Sequence, residues 1–101
     1  MRVLVLYDLP IGSSSEVRAY TKFRKFLIKS GFMMMQESVY TKLALNQTVC
    51  ANIMENVRKN KPEAGLVQML AITEKQFSKI EIVVGEINST VLNTDERLVI
   101  L

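Results

Sequence analysis

The feature that most constrains the fold is a run of apolar residues close to the N-terminus. Residues 2–8 read Arg-Val-Leu-Val-Leu-Tyr-Asp. A short, almost wholly apolar run of this kind predicts a strand in the middle of a sheet, buried on both faces. Pro10 and Gly12 end the run, because proline cannot donate to a sheet ladder and glycine frees the turn. We therefore expect the fold to be built around this strand.

After the first strand, the spacing of apolar residues becomes helical. Residues 13–15 are serines that can cap a helix running from about Glu16 to Ser30, and Gly31 is suited to end it. The side chains predicted to face the core recur at spacings of three and four, at Tyr20, Phe23 and Leu27.

The middle of the chain predicts further strands around a second helix. Residues 32–45 are extended by composition but long for one strand, so we expect two short strands with a break near residues 36–38. Asn46 can cap a second helix over about residues 47–60. Residues 66–72 predict another apolar strand.

The C-terminal part predicts a helical turn and two more strands. Thr73-Glu74-Lys75-Gln76 has the form of a capping box, and residues 79–84 alternate as a half-buried strand does. Residues 97–101 predict a final apolar strand, which we expect to pair with the sheet edge of another chain. The order of elements is the α+β, ferredoxin-like βαββαβ pattern with extra C-terminal strands, in a single domain over residues 1–101.

The composition narrows the classes of function. The chain contains no histidine, which excludes an imidazole general base, a Ser-His or Cys-His nucleophile pair and most zinc sites. Cys50 is the only cysteine, which agrees with a reducing compartment. No apolar run approaches the roughly 18–20 residues needed to cross a bilayer. We therefore expect a cytoplasmic protein that does not bind membranes.

Four cations are predicted to lie together on the first helix, on the face opposite its core residues. The net charge of +3 and the pI near 9.2 permit a phosphate-bearing partner without requiring one. The four recur at spacings of four, three and four and span about 16 Å of helix. They form either a solvated helix face or a phosphate-contacting ridge that would position DNA without recognising its bases. We call these four residues the basic stripe: Arg18, Lys22, Lys25 and Lys29.

Asp8 is the acid most suited to a functional role, because it ends the first strand. An acidic residue in this place is often only a turn former. The alternative is a functional carboxylate, because a buried strand delivers its last side chain to the end of the sheet, where sites commonly form. The only other aspartate, Asp95, lies in a predicted turn.

A set of segments in a fixed order connects the sequence to a known family. Val5-Leu6-Tyr7-Asp8 ends the first strand, and Lys22-Phe23-Arg24-Lys25-Phe26-Leu27 lies in the first helix. Gln36-Glu37-Ser38-Val39-Tyr40 and Ile72-Thr73-Glu74-Lys75-Gln76-Phe77 follow. This set resembles CRISPR-associated protein two, the small subunit of the CRISPR spacer-acquisition complex, in the form that accompanies type II systems. The resemblance covers essentially the whole chain.

The resemblance implies a ferredoxin-like fold and a two-fold homodimer. In that family the dimer bridges two dimers of the integrase, CRISPR-associated protein one, and supports duplex prespacer DNA. Many members are described as magnesium-dependent nucleases acting on single-stranded RNA or duplex DNA. The strand-end aspartate is their proposed catalytic metal ligand, which implies this role for Asp8. Some members carry an arginine where this chain has residues 33–35, Met-Met-Met; its absence here favours DNA bridging over hydrolysis.

Two further predictions concern the dimer. Mg²⁺ usually needs one or two carboxylates plus phosphate, so a two-fold dimer that supplies a second Asp8 would make a better site than one chain. A metal held there could activate water without histidine. The residues predicted to lie at the interface are Tyr7, Tyr40, Val99, Ile100 and Leu101, of which the two tyrosines are alternatively core residues.

Three functions stay open at this point. The first is a DNA-bridging subunit of an integration complex. The second is a free-standing, toxin-like, metal-dependent endoribonuclease. The third, a non-catalytic ferredoxin-like nucleic-acid-binding module, is weakened because the chain lacks an RNP aromatic motif and a glycine-rich ligand loop.

Overall fold

The computed structural model describes residues 1–86, which form two helices packed on a four-stranded sheet, with a third, short helix. The strands are antiparallel in the order β2-β3-β1-β4, which is the ferredoxin-like arrangement that the sequence predicted. The elements along the chain are β1 Arg2–Asp8, α1 Ser14–Lys29, β2 Met33–Gln36, β3 Val39–Leu43, α2 Gln47–Lys59, β4 Leu66–Ile72 and α3 Glu74–Ser78.

β1 lies inside the sheet, between β3 and β4, as predicted. The prediction that it is buried on both faces is wrong. Val3 and Val5 are fully buried beneath α1 and α2, whereas Leu6 is 36% exposed and Asp8 is exposed. The reason is that α1 and α2 share one face of the sheet, and successive side chains of a strand point to opposite faces.

Local side-chain hydrogen bonds determine where α1 begins and ends. Ser13 caps it in a capping box with Glu16, so the helix starts at Ser14, two residues before the predicted start. At the other end the N–H groups of Gly31 and Phe32 donate to carbonyls in the last turn, which is a Schellman motif. Gly31 adopts a φ of +94° there, a conformation that costs glycine little.

The extended segment after α1 is two strands, as predicted. β2 and β3 are joined at Glu37 and Ser38, and Ser38 has a φ of +63° that permits the tight turn. α2 is capped by Asn46, whose side chain accepts the N–H of Val49 at 2.9 Å. The predicted capping box at Thr73 is also present and opens α3.

The predicted strand over residues 79–84 is wrong. These residues have no strand conformation, and Val83 and Val84 are 81% and 91% exposed. Alternating polarity alone does not form a strand, because the ladder hydrogen bonds need a partner, and no strand within residues 1–86 pairs with this segment. The predicted strand over residues 97–101, with Val99, Ile100 and Leu101, lies outside the described residues. Within residues 1–86, no helix has the length and apolar character needed to cross a membrane.

Candidate functional site

Asp8 is the last residue of β1 and pairs in register with Leu66 of β4. Its backbone is closely covered by the loop before β4. A Cβ on Gly65 would lie 2.9 Å from the carbonyl oxygen of Asp8 and 2.6 Å from Leu9, and Gly65 has a φ of +97°. Only glycine fits this approach without rearrangement. The sequence alone did not predict that Gly65 lies against Asp8.

The side chain of Asp8 is exposed, on the sheet face away from α1 and α2. Within residues 1–86 no group of three or more His, Cys, Asp or Glu side chains is placed to hold a metal ion. A single carboxylate is a poor magnesium site, because the ion usually takes one or two carboxylates together with phosphate oxygens. Residues 1–86 of one chain therefore bring no such cluster of ligands to Asp8.

Around Asp8, the sheet face away from α1 and α2 is apolar; we call it the open face. The register places Leu4 and Leu6 of β1 beside Leu70 and Gln68 of β4. On this face Leu6, Leu66 and Leu70 are 36%, 55% and 54% exposed. Contiguous apolar surface of this kind is uncommon on a monomeric protein and is typical of an interaction surface.

α3 occupies the opposite end of the open face, where β1 begins. The guanidinium of Arg2 donates to both carboxylate oxygens of Glu74, at 2.9 and 3.0 Å, and lies 4.1 Å from the ring centre of Phe77. Arg2 is only 1% exposed, so this interaction anchors α3 to the sheet. Leu6 and Leu66 lie towards the Asp8 end of the open face, Leu70 lies beside Leu4 in the middle, and the exposed Leu43 pairs with Arg2 at the α3 end.

Tyr7 and Tyr40, predicted interface residues, lie in the core of the chain. Tyr7 is 6% and Tyr40 is 1% exposed, and their rings stack with centres 5.9 Å apart. The ring of Tyr7 also meets Phe23 edge-on at 5.2 Å. Burial, with a smaller effect from Tyr40, raises the pKa of the Tyr7 phenol well above its ordinary value, so the group stays neutral. Only a few per cent of either side chain is left to contact a partner.

The four side chains of the basic stripe are exposed on the outer side of α1, away from the buried Phe23 and Leu27. They border a shallow groove with Val17, Thr21 and Phe26. Among residues 1–86 none of the four forms an ion pair, since the described ion pairs are Arg2–Glu74 and Glu55–Arg58. The structure therefore brings these cations together, with their charges available to an anion.

A cleft beside the stripe was not predicted. It has a volume of about 460 Å³ and lies between α1 and the C-terminal end of α2. Lys22 borders both the cleft and the shallow groove. Lys59 and Lys61 line the other side of the cleft. The sequence alone did not place these two lysines beside Lys22, because nothing local indicates that α2 ends near α1.

A family assignment follows from comparison with known proteins. The sequence model described as CRISPR associated protein Cas2 matches residues 1–80. The chain belongs to the Cas2 family. This confirms the resemblance seen in the sequence.

Curated Cas2 relatives match over the full length of the chain. A protein of Treponema denticola is 54% identical over 101 residues, and the match covers 100% of both chains. A protein of Streptococcus mutans is 41% identical over 101 residues, covering 100% of this chain and 93% of its own. Both are named CRISPR-associated endoribonuclease Cas2.

A solved structure supports the fold. The crystal structure of Streptococcus pyogenes Cas2 at pH 6.5 superposes with a TM-score of 0.60 and 15% identity. The superposition covers 83% of this chain and 100% of the other. The ferredoxin-like architecture of this chain is therefore shared with that Cas2 structure despite low sequence identity.

Proposed function

We propose that this Cas2 protein is the DNA-bridging subunit of CRISPR spacer acquisition, acting in the cytoplasm. Its homodimer holds duplex prespacer DNA and links two dimers of the integrase, CRISPR-associated protein one. The observation that carries this proposal is the position of two surfaces. The apolar open face and the basic stripe lie on opposite sides of the chain, so a dimer formed through one leaves the other exposed.

The dimer is supported by the open face. Burying apolar surface contributes roughly 25 cal/mol for each Å² removed from water, and Leu6, Leu66 and Leu70 offer such surface. A two-fold axis through this face places the same patch of each protomer against its copy. The predicted contribution of residues 97–101, including Val99, Ile100 and Leu101, stays a prediction.

DNA binding is supported by the basic stripe. Its cations are exposed, unpaired within residues 1–86 and spread along α1, so they can follow a phosphate backbone. Interactions of this kind position DNA and are indifferent to its sequence. This property suits a subunit that accepts spacers of any sequence.

A second candidate function, metal-dependent endoribonuclease activity, is favoured by the name of the relatives. Asp8 lies on the open face, so the same two-fold dimer would bring two Asp8 carboxylates to one interface and double the donor set. When bound, Mg²⁺ supplies a Lewis acid for the phosphodiester and lowers the pKa of a bound water. The two Asp8 carboxylates would hold and orient the ion, and the proposed substrate is single-stranded RNA.

Salt dependence of binding tests the DNA-bridging proposal. The variant K25Q/K29Q is titrated with a short random-sequence duplex at several salt concentrations, by fluorescence anisotropy. We expect weaker binding and a log–log salt slope reduced by about 0.9 for each phosphate that the variant no longer neutralises. The matched control K75Q/K79Q removes the same charge from exposed positions in and next to α3 and keeps the wild-type slope. An unchanged slope in K25Q/K29Q would contradict the proposal.

A further inference from the structure

The cleft between α1 and the end of α2 continues the basic stripe. Its lining includes the buried Leu9 and Phe23, and it carries Lys22 on one side with Lys59 and Lys61 on the other. All three lysines are exposed. Because Lys22 also borders the groove on the outer side of α1, the cations of the two helices form one continuous surface.

The cleft has a net positive charge that is free to act on a ligand. Two acids, Glu16 and Glu63, line it. Glu16 is committed to the α1 capping box, where its Oε1 accepts two backbone N–H groups at 2.9 and 3.0 Å. Among the lining residues within 1–86, this leaves Glu63 as the one uncommitted carboxylate, against three lysines.

Neighbouring charges do not belong to this surface. Arg58 is paired with Glu55 at 2.8 Å on the exposed side of α2, and it does not line the cleft. Within the part of the chain that the structure describes, the cations available to a ligand at this end of α2 are therefore Lys59 and Lys61.

We propose that the cleft is a second phosphate-binding segment, in which Lys59 and Lys61 bind the DNA backbone after it leaves α1. This inference rests on the proposed DNA-bridging function and extends it to a specific surface. The partner is a phosphate backbone rather than an apolar peptide, because the cleft joins directly onto a line of cations that form no ion pair within residues 1–86. Lys22 lies where the basic stripe meets the cleft, so it can contact the DNA backbone on both surfaces.

The variant K59Q/K61Q tests this proposal, with the same random-sequence duplex and salt series. We expect reduced affinity at low salt and a slope lowered by up to about 1.8, which is about 0.9 for each of two phosphates. K75Q/K79Q removes an equal charge next to α3 and serves as the control; light scattering establishes that all variants share one oligomeric state. An unchanged slope in K59Q/K61Q, or an equal fall in both variants, would overturn the inference.

A substitution that is expected to strengthen binding complements this test, because a folding defect would weaken binding rather than strengthen it. E63Q removes the uncommitted acid from the cleft and is expected to tighten DNA binding, whereas E81Q, an exposed acid outside it, is the control. Equal affinities for E63Q and E81Q would contradict the inference. If K25Q/K29Q lowers the slope and K59Q/K61Q does not, the inference fails alone. If neither lowers it, the DNA-bridging proposal fails with it.

Discussion

Tyr7 and Asp8 are neighbours in β1, and their side chains point to opposite faces of the sheet. Tyr7 lies in the core beneath α1, whereas Asp8 lies exposed on the open face. The alternation of a strand therefore separates a structural residue from a candidate functional one. The sequence predicted that Asp8 is an acid at the end of a strand, because the length of the apolar run is enough to show where the strand ends. Whether Tyr7 is core or interface depends on α1, which the strand alone does not specify.

The hydroxyl of Tyr7 leads to a prediction about alkaline stability. It is buried without a hydrogen-bond partner among residues 1–86, and burial raises its pKa above the unfolded value of about 10. Above that pH the unfolded chain loses the proton while the folded chain keeps it, so the free energy of unfolding falls as pH rises. Y7F removes this contribution and is expected to lose stability less steeply above about pH 10.

Urea unfolding of the wild type and of Y7F, at neutral pH and at about pH 11, measures this difference. At neutral pH, Y7F is expected to equal the wild type or exceed it by up to about 1 kcal/mol, because an unsatisfied buried hydroxyl is removed. A Y7F protein that is clearly less stable at neutral pH would show that the hydroxyl makes a favourable hydrogen bond.

Asp8 separates the two candidate functions. D8N removes one negative charge with little change of shape, so we expect dimer mass and duplex affinity close to wild type, with metal-dependent cleavage of single-stranded RNA abolished. E81Q controls for the change of charge. RNA cleavage retained in D8N would contradict the proposed metal role. Loss of spacer acquisition in cells, with the integrase complex still assembled, would replace the bridging proposal with a catalytic one.

At the scale of elements, the strand order and the local capping signals were predicted, whereas two features that depend on contacts between distant parts of the chain were not. Asn46 and Thr73 cap their helices as predicted, and Ser13 is one of the three serines that the sequence offered as caps for α1, because each cap depends on hydrogen bonds within a few residues. The prediction of a strand over residues 79–84 was wrong, because a strand needs a hydrogen-bonded partner strand from another part of the chain. The cleft was missed for the same reason, since Lys22 and Lys59 are brought together only when α1 and α2 pack side by side.

The anchoring of α3 gives an asymmetric prediction. Arg2 is 1% exposed and Glu74 is 34% exposed. E74A leaves a buried guanidinium without its counter-ion and is expected to cost about 3 kcal/mol of unfolding free energy. R2M leaves only a partly solvated carboxylate and keeps an apolar side chain beneath Phe77, so it is expected to cost less.

Chemical denaturation of both variants measures this asymmetry. E55A, which breaks the exposed pair with Arg58, is the control and is expected to change stability by no more than about 0.5 kcal/mol. If R2M were less stable than E74A, this would contradict the claim that an unpaired buried Arg2 destabilises the fold more than an unpaired Glu74 does.

At the scale of the whole molecule, DNA binding and dimer formation are proposed for two opposite faces of the chain. The helix face carries the basic stripe and the cleft, and the open face carries the exposed leucines and Asp8. Sequence pattern predicted the stripe, because helical spacing alone places its cations together. It did not predict the open face, because residues 2–8 show no polar alternation that would mark one side as uncovered.

The central claim is that the open face forms the dimer that carries two basic stripes. Light scattering coupled to gel filtration measures it most directly, on the wild type and on L66K/L70K, with L45K as a control at an exposed leucine between β3 and α2. We expect the wild type and L45K at the dimer mass, and L66K/L70K folded, by circular dichroism, at the monomer mass. A wild-type monomer, or a dimer of L66K/L70K, would contradict the account.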